Sequence, residues 1–115
     1  MILSLSPARA VLLAAPLALA LAAGVAGTSS ALAADLAIKI DNFTFTPDSA
    51  EIAIGTTVTW TNEDDIPHAI AEVEKRFKSK AMDTGDSYSF TFTAPGTYEY
   101  FCSLHPHMKA KIVVK

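Results

Sequence analysis

The stretch Thr97-Tyr98-Glu99-Tyr100-Phe101-Cys102-Ser103-Leu104-His105-Pro106-His107-Met108 begins as an alternation and ends as a cluster of sulfur and imidazole. Side chains flip faces at each step of a strand. Tyr98, Tyr100 and Cys102 therefore share one face of an extended segment, and Thr97, Glu99 and Phe101 share the other. The face with the two tyrosines is the expected core face, which sends Cys102 toward the interior. Lys109–Val114 is a further strand candidate, so the cluster lies where one strand gives way to the next.

The same period of two recurs outward from this stretch. Leu36, Ile38 and Ile40 alternate with Ala37, Lys39 and Asp41, and Phe43 and Phe45 alternate with Thr44 and Thr46. Glu51–Ile54 runs into Gly55, and Val58 and Trp60 sit among Thr57, Thr59 and Thr61. His68–Val73 is a short extended candidate, and Tyr88, Phe90 and Phe92 alternate with Ser87, Ser89, Thr91 and Thr93 ahead of a Pro95-Gly96 turn. Threonine, valine, isoleucine and aromatics dominate these runs, as strands prefer. Glu74–Gly85 is polar and charged and is expected to be a loop, with room for one helical turn. No segment sustains a 3.6-residue period. Seven or eight short strands separated by turn signals predict an all-β domain, a two-sheet sandwich or Greek-key barrel. Trp60 and Tyr98 are expected core residues.

Charge and hydropathy divide the chain unevenly. Residues 1–33 contain 23 apolar side chains and a single charge, Arg9. Ala10–Ala23 is an alanine and leucine run broken by Pro16, and Ala31-Leu32-Ala33 offers small residues for cleavage. That is the layout of a secretory signal peptide over residues 1–33, with a mature domain over 34–115. The apolar run is short for a membrane span of about 20 residues and lacks a basic flank. The expectation is a periplasmic protein with no membrane insertion once the leader is removed. Residues 34–115 carry 8 basic and 12 acidic side chains, a balance of −4, which argues against nucleic acid as a partner. A domain of this size buries only about 60–65% of its unfolded surface and often needs a staple. One cysteine forms no internal disulfide, so a bound metal is the candidate.

The donor types in the cluster narrow the metal. Cys102, His105 and Met108 stand at i, i+3 and i+6, and His68 lies 34 residues upstream of the cysteine, just after Pro67. Thiolate and thioether are soft donors and imidazole is intermediate. Two histidines, one cysteine and a weak axial methionine make an electron-transfer copper site. Such a set suits Cu(I) and Cu(II) in one compromise geometry, which keeps rearrangement on electron transfer small. A catalytic thiol would need a base and an oriented cleft, for which a domain this small has little room. His107 is expected on the surface.

Tyr98-Glu99-Tyr100-Phe101-Cys102-x-x-His105-Pro106-x-Met108, with Pro67-His68 and Val58-Thr59-Trp60 upstream, resembles the blue (type 1) copper proteins of the cupredoxin superfamily. The two-residue gap between His105 and Met108 matches amicyanins and is shorter than in plastocyanins and pseudoazurins. The resemblance spans about Ile38 to Val114. It implies a cupredoxin-like Greek-key β-sandwich and one copper ion held by His68, Cys102 and His105, with Met108 axial. It also implies a carrier of single electrons between redox proteins acting as donor and acceptor, and not an enzyme. Such a carrier is expected to be a monomer that forms transient complexes. Two positions depart from the family. Ala69 stands where amicyanins and plastocyanins have an asparagine that ties the ligand loops together, and His107 stands where amicyanins have an apolar residue. These departures motivate the alternative of a copper-binding or copper-delivery protein that shuttles no electrons. A β-sandwich adhesion module with an accidental motif is a third reading. Glu63, Asp64 and Asp65 beside His68 are expected either as a solvated loop or as a docking patch for a basic redox partner. Lys75, Arg76, Lys78 and Lys80 give the opposite sign in the long loop.

Overall fold

The computed structural model describes residues 34–115. The leader expected over residues 1–33 lies outside the described residues. Eight strands form: β1 (Leu36–Asp41), β2 (Thr44–Thr46), β3 (Ser49–Ile52), β4 (Thr57–Asn62), β5 (Ala71–Glu72), β6 (Ser87–Thr91), β7 (Gly96–Cys102) and β8 (His105–Val114). They make two four-stranded sheets, ordered β2-β1-β4-β6 and β3-β8-β7-β5. The chain crosses between the sheets repeatedly, and β1 with β4 and β3 with β8 pair in parallel. The expected all-β Greek-key sandwich is what the chain forms, and no helix occurs among the described residues.

The alternations do the work expected of them. β4 buries Val58, Trp60 and Asn62, and β7 buries Tyr98, Tyr100 and Cys102. The inner faces meet in a core that includes Ile38, Ile40, Trp60, Phe92, Tyr100 and Ile112. Trp60 packs edge-on against Tyr100 at 5.4 Å between ring centroids. On the outer face of the first sheet, hydroxyls pair across β4 and β6. Thr57–Thr91 and Thr59–Ser89 lie at 2.7 Å, and Thr61–Ser87 at 2.9 Å. These pairs satisfy the polar side of both strands and fix their register.

Three expectations are corrected. Phe43 does not share a strand face with Phe45. It lies in the two-residue turn between β1 and β2, where Asn42 and Phe43 have φ of 51° and 57°. Ile54 falls outside β3 and is half exposed, because the chain turns at Gly55 with φ 94°. The His68–Val73 segment shrinks to the two residues of β5, while His68 makes a single bridge to Met82. The loop over residues 74–85 is also less polar in role than in composition. It sends Phe77 and Met82 into the core and contains no helical turn. Phe77 stacks among Trp60, Phe90 and Phe92. Glu72 anchors the start of this loop. Its buried carboxylate accepts the backbone N–H groups of Glu74 and Arg76 and pairs with the Arg76 guanidinium. Arg76 in turn lies 4.1 Å over the Tyr98 ring. The Arg76 guanidinium, foremost among these partners, holds the Glu72 carboxyl below the usual carboxylate range.

Candidate metal centre

Cys102 ends β7 with its side chain fully buried, as parity requires. Ser103 and Leu104 turn the chain, and His105 pairs with Cys102 across the start of β8. The next matched pair is Phe101 with Lys109. Pro106, His107 and Met108 therefore have no partner on β7, and the chain bulges there. The sequence suggests a loop for His105, Pro106 and His107; all three belong instead to this bulged strand. The bulge leaves Pro106 and His107 exposed and turns Met108 inward, where it is buried in the same core cluster as Cys102.

His68 arrives from the other side of the site and is fully buried. Backbone bonds pin it on both sides, from His68 N–H to the Met82 carbonyl at 3.1 Å and from Met82 N–H to the His68 carbonyl at 2.7 Å. Asn62 shapes the approach. Its buried amide donates to the Ile66 carbonyl at 2.8 Å and the Met82 carbonyl at 2.9 Å, and its oxygen accepts Asp64 N–H at 2.9 Å. Asp64 is thereby turned inward. Its Oδ2 lies 2.8 Å from His68 Nε2 and also accepts the Phe43 N–H at 3.2 Å. The His68 contact, then the Phe43 N–H, holds the Asp64 carboxyl down to about 2 against the effect of its burial. An acceptor at Nε2 places the His68 proton there and leaves the Nδ1 lone pair facing Cys102.

The donor atoms converge. Cys102 Sγ lies 3.7 Å from His68 Nδ1 and 3.5 Å from His105 Nδ1. All three donor atoms lie within 4.8 Å of one another. With metal bonds of about 2.0–2.1 Å to nitrogen and about 2.3 Å to sulfur, a nitrogen and a sulfur around one ion stand about 3.5–3.8 Å apart at tetrahedral to trigonal angles. The spacing therefore fits one ion, and the soft donor set fits copper. Ala69, which lacks an asparagine's side-chain tie, still contributes its backbone, with Ala69 N–H donating to Cys102 Sγ at 3.4 Å. Phe43 covers the outer side of both imidazoles. Its ring centroid is 5.6 Å from that of His68 and 5.0 Å from that of His105, both nearly perpendicular. The roles of Asp64, Asn62 and Phe43 were missed in the sequence. Asp64 was one acid among three adjacent ones, and only its spacing of four residues before His68 hinted at the pair. Glu63 and Asp65 are exposed, as a solvated loop would have them, and so is His107.

A Greek-key sandwich with one cysteine and two histidines converging where β1, β4 and β7 end is a cupredoxin copper centre. The comparisons agree. The family model described as "Copper binding proteins, plastocyanin/azurin family" matches residues 32–115. Amicyanin-alpha of Methylorubrum extorquens is 38% identical over 102 residues, covering 84% of this chain and 86% of that protein. A purple cupredoxin from Nitrosopumilus maritimus superposes with a TM-score of 0.66 at 35% identity, over 70% of this chain and 99% of that one. A copper-containing nitrite reductase from Thermus scotoductus gives the same TM-score at 32% identity, over 70% of this chain and 22% of that one. The chain belongs to the plastocyanin/azurin family of copper-binding proteins.

Proposed function

We propose that this protein is an exported, soluble carrier of single electrons, in which His68, Cys102, His105 and Met108 would hold copper. Copper held there supplies a reversible Cu(II)/Cu(I) couple. The observation that carries the reading is the spacing of the three donor atoms, with His68 pinned by backbone bonds and the Cys102 sulfur by the Ala69 N–H. Asp64 holds the His68 ring at its far nitrogen, and the Ala69 N–H stabilises negative charge on the Cys102 sulfur. His68 and Cys102, held this firmly, move little when charge changes, and a small rearrangement keeps the barrier to transfer low. The half-buried His105, beside the half-exposed Phe43 and Leu104, is the route by which electrons enter and leave. Redox proteins are the partners, met in transient complexes, and the carrier makes and breaks no substrate bond. Export rests on the leader over residues 1–33, and the compartment proposed is the periplasm.

The test is to load the purified protein with copper and follow its visible spectrum. The expected result is an intense thiolate-to-copper band, blue in the oxidised protein, that bleaches on reduction and returns on reoxidation. A copper(II) form without that band, with Cys102 still open to thiol reagents, overturns the reading. The delivery alternative separates cheaply. A carrier keeps its copper when mixed with an apo acceptor, and the complete burial of His68 and Cys102 favours retention. Mass measurement of the exported protein tests the leader, with a mature chain beginning at Ala34 expected.

A further inference from the structure

The turn between β1 and β2 holds an aromatic residue where a glycine would be at ease. A two-residue hairpin turn with positive φ at both central positions favours asparagine then glycine. Here Asn42 takes the first position and Phe43 the second, with φ of 57°. For a bulky L-residue that conformation is strained. Burial does not offset the strain, because Phe43 is 51% exposed. The bond from Phe43 N–H to Asp64 Oδ2 does not explain the side chain either, since glycine would donate the same bond. What only the ring provides is its pair of perpendicular contacts with the two imidazoles, at 5.6 Å to His68 and 5.0 Å to His105. Those imidazoles are themselves 4.9 Å apart, so one ring spans both.

We propose that Phe43 is a positioning residue of the metal centre: its ring wedges His68 and His105 in the orientation that aims both Nδ1 atoms at Cys102 and shields that side of the site from water. The inference rests on the ligand assignment above. His68 has Asp64 and two backbone bonds to hold it. His105 has neither its own carboxylate nor a regular strand on its far side, because the bulge begins directly after it. The wedge therefore matters most for His105, the ligand with the least other support.

The strain supplies a clean experiment, because Phe43→Gly relaxes the backbone while removing the ring. Wild type, Phe43→Gly and Phe43→Leu are compared in three measurements: thermal unfolding without copper, the charge-transfer spectrum with copper, and the rate at which a chelator removes the ion. Copper-free Phe43→Gly is expected to melt no lower than wild type. Copper-loaded Phe43→Gly is expected to lose its ion about tenfold faster or more, from the loss of two aromatic contacts, with a shifted charge-transfer band. Phe43→Leu, which keeps apolar cover but has no ring, is expected to lose copper faster than wild type. A wild-type release rate and spectrum in Phe43→Gly would overturn the proposal, even if reaction with a protein partner slowed. A marked fall in the melting point of the copper-free glycine variant would also overturn it, by making the ring a part of the fold. A wild-type protein that shows no charge-transfer band fails the ligand assignment itself, and this inference with it.

Discussion

Cys102 is the residue on which the chemistry turns, and its burial leaves one thing for its sulfur to do. A fully buried sulfur that receives an N–H from Ala69 and faces two imidazole nitrogens is placed to share a soft metal ion with them. Cys102→Ser, with nearly the same volume, is expected to fold and to lose the charge-transfer band entirely; an absorption spectrum with equimolar copper checks this. Asp64 acts at one remove. Partners that orient a ligand histidine typically contribute about 10–100-fold in metal affinity, so Asp64→Asn is expected to weaken copper by that factor while keeping the visible band. Competition with a chelator of known affinity measures it. The proposed ligand set could be assembled from the sequence, because three of its four members sit within seven consecutive residues and their donor types are unusual together. Asp64 was not, since a run of acids looks the same whether its middle member faces water or a ring. Phe43 was hidden for another reason. Alternation records which side chains are apolar, but not the sign of φ.

Among the elements, most strands were readable, and the long loop was readable as a loop but not in what it buries. Residues 87–91 and 96–102 alternate cleanly, and they became β6 and β7. In the loop over residues 74–85, Phe77 and Met82 enter the core at no regular spacing, so no period betrays them. What fixes such segments is specific bonding. Asn62 is the clearest case: it is fully buried and serves two backbone groups ahead of His68 and the Met82 carbonyl in the long loop. Asn62→Ala removes all three bonds, leaving the Ile66 carbonyl and the Asp64 N–H without that partner while the Met82 carbonyl keeps the His68 N–H, and is expected to cost about 2–4 kcal/mol, read by urea unfolding of the copper-free protein. Glu72 does the same for the neighbouring turn and adds a dependence on pH. Its carboxyl is held below its ordinary value near 4.5 in the folded protein. Its contribution is therefore complete above that ordinary value and is lost as pH falls through the lower folded value. Glu72→Gln is expected to cost about 1–3 kcal/mol at neutral pH. Its stability should then change less with pH across the acid range than that of wild type, which paired urea titrations would reveal.

At the scale of the molecule, the copper site and the fold support each other. The two sheets bring His68 to the β7–β8 hairpin, and a metal that binds only the folded form stabilises it by mass action. At free copper about 100 times the dissociation constant this amounts to about 2.7 kcal/mol, which for a domain of about 80 residues is a rise of about 10–20 °C in melting temperature. Calorimetry with and without copper tests this, and Cys102→Ser should show almost none of the rise. An unchanged melting temperature in the wild type would favour a β-sandwich module whose motif is accidental.

The hairpin that carries Cys102 and His105 also bears on how the protein is assembled. Its two strands are neighbours in the chain, so they meet on the fast timescale of hairpin closure. His68 reaches them only through pairings between distant segments, which form more slowly. During refolding, two donors are thus in place before the third. An ion present from the first moment meets a bidentate clip on a half-built molecule, and colour should then develop later than capture.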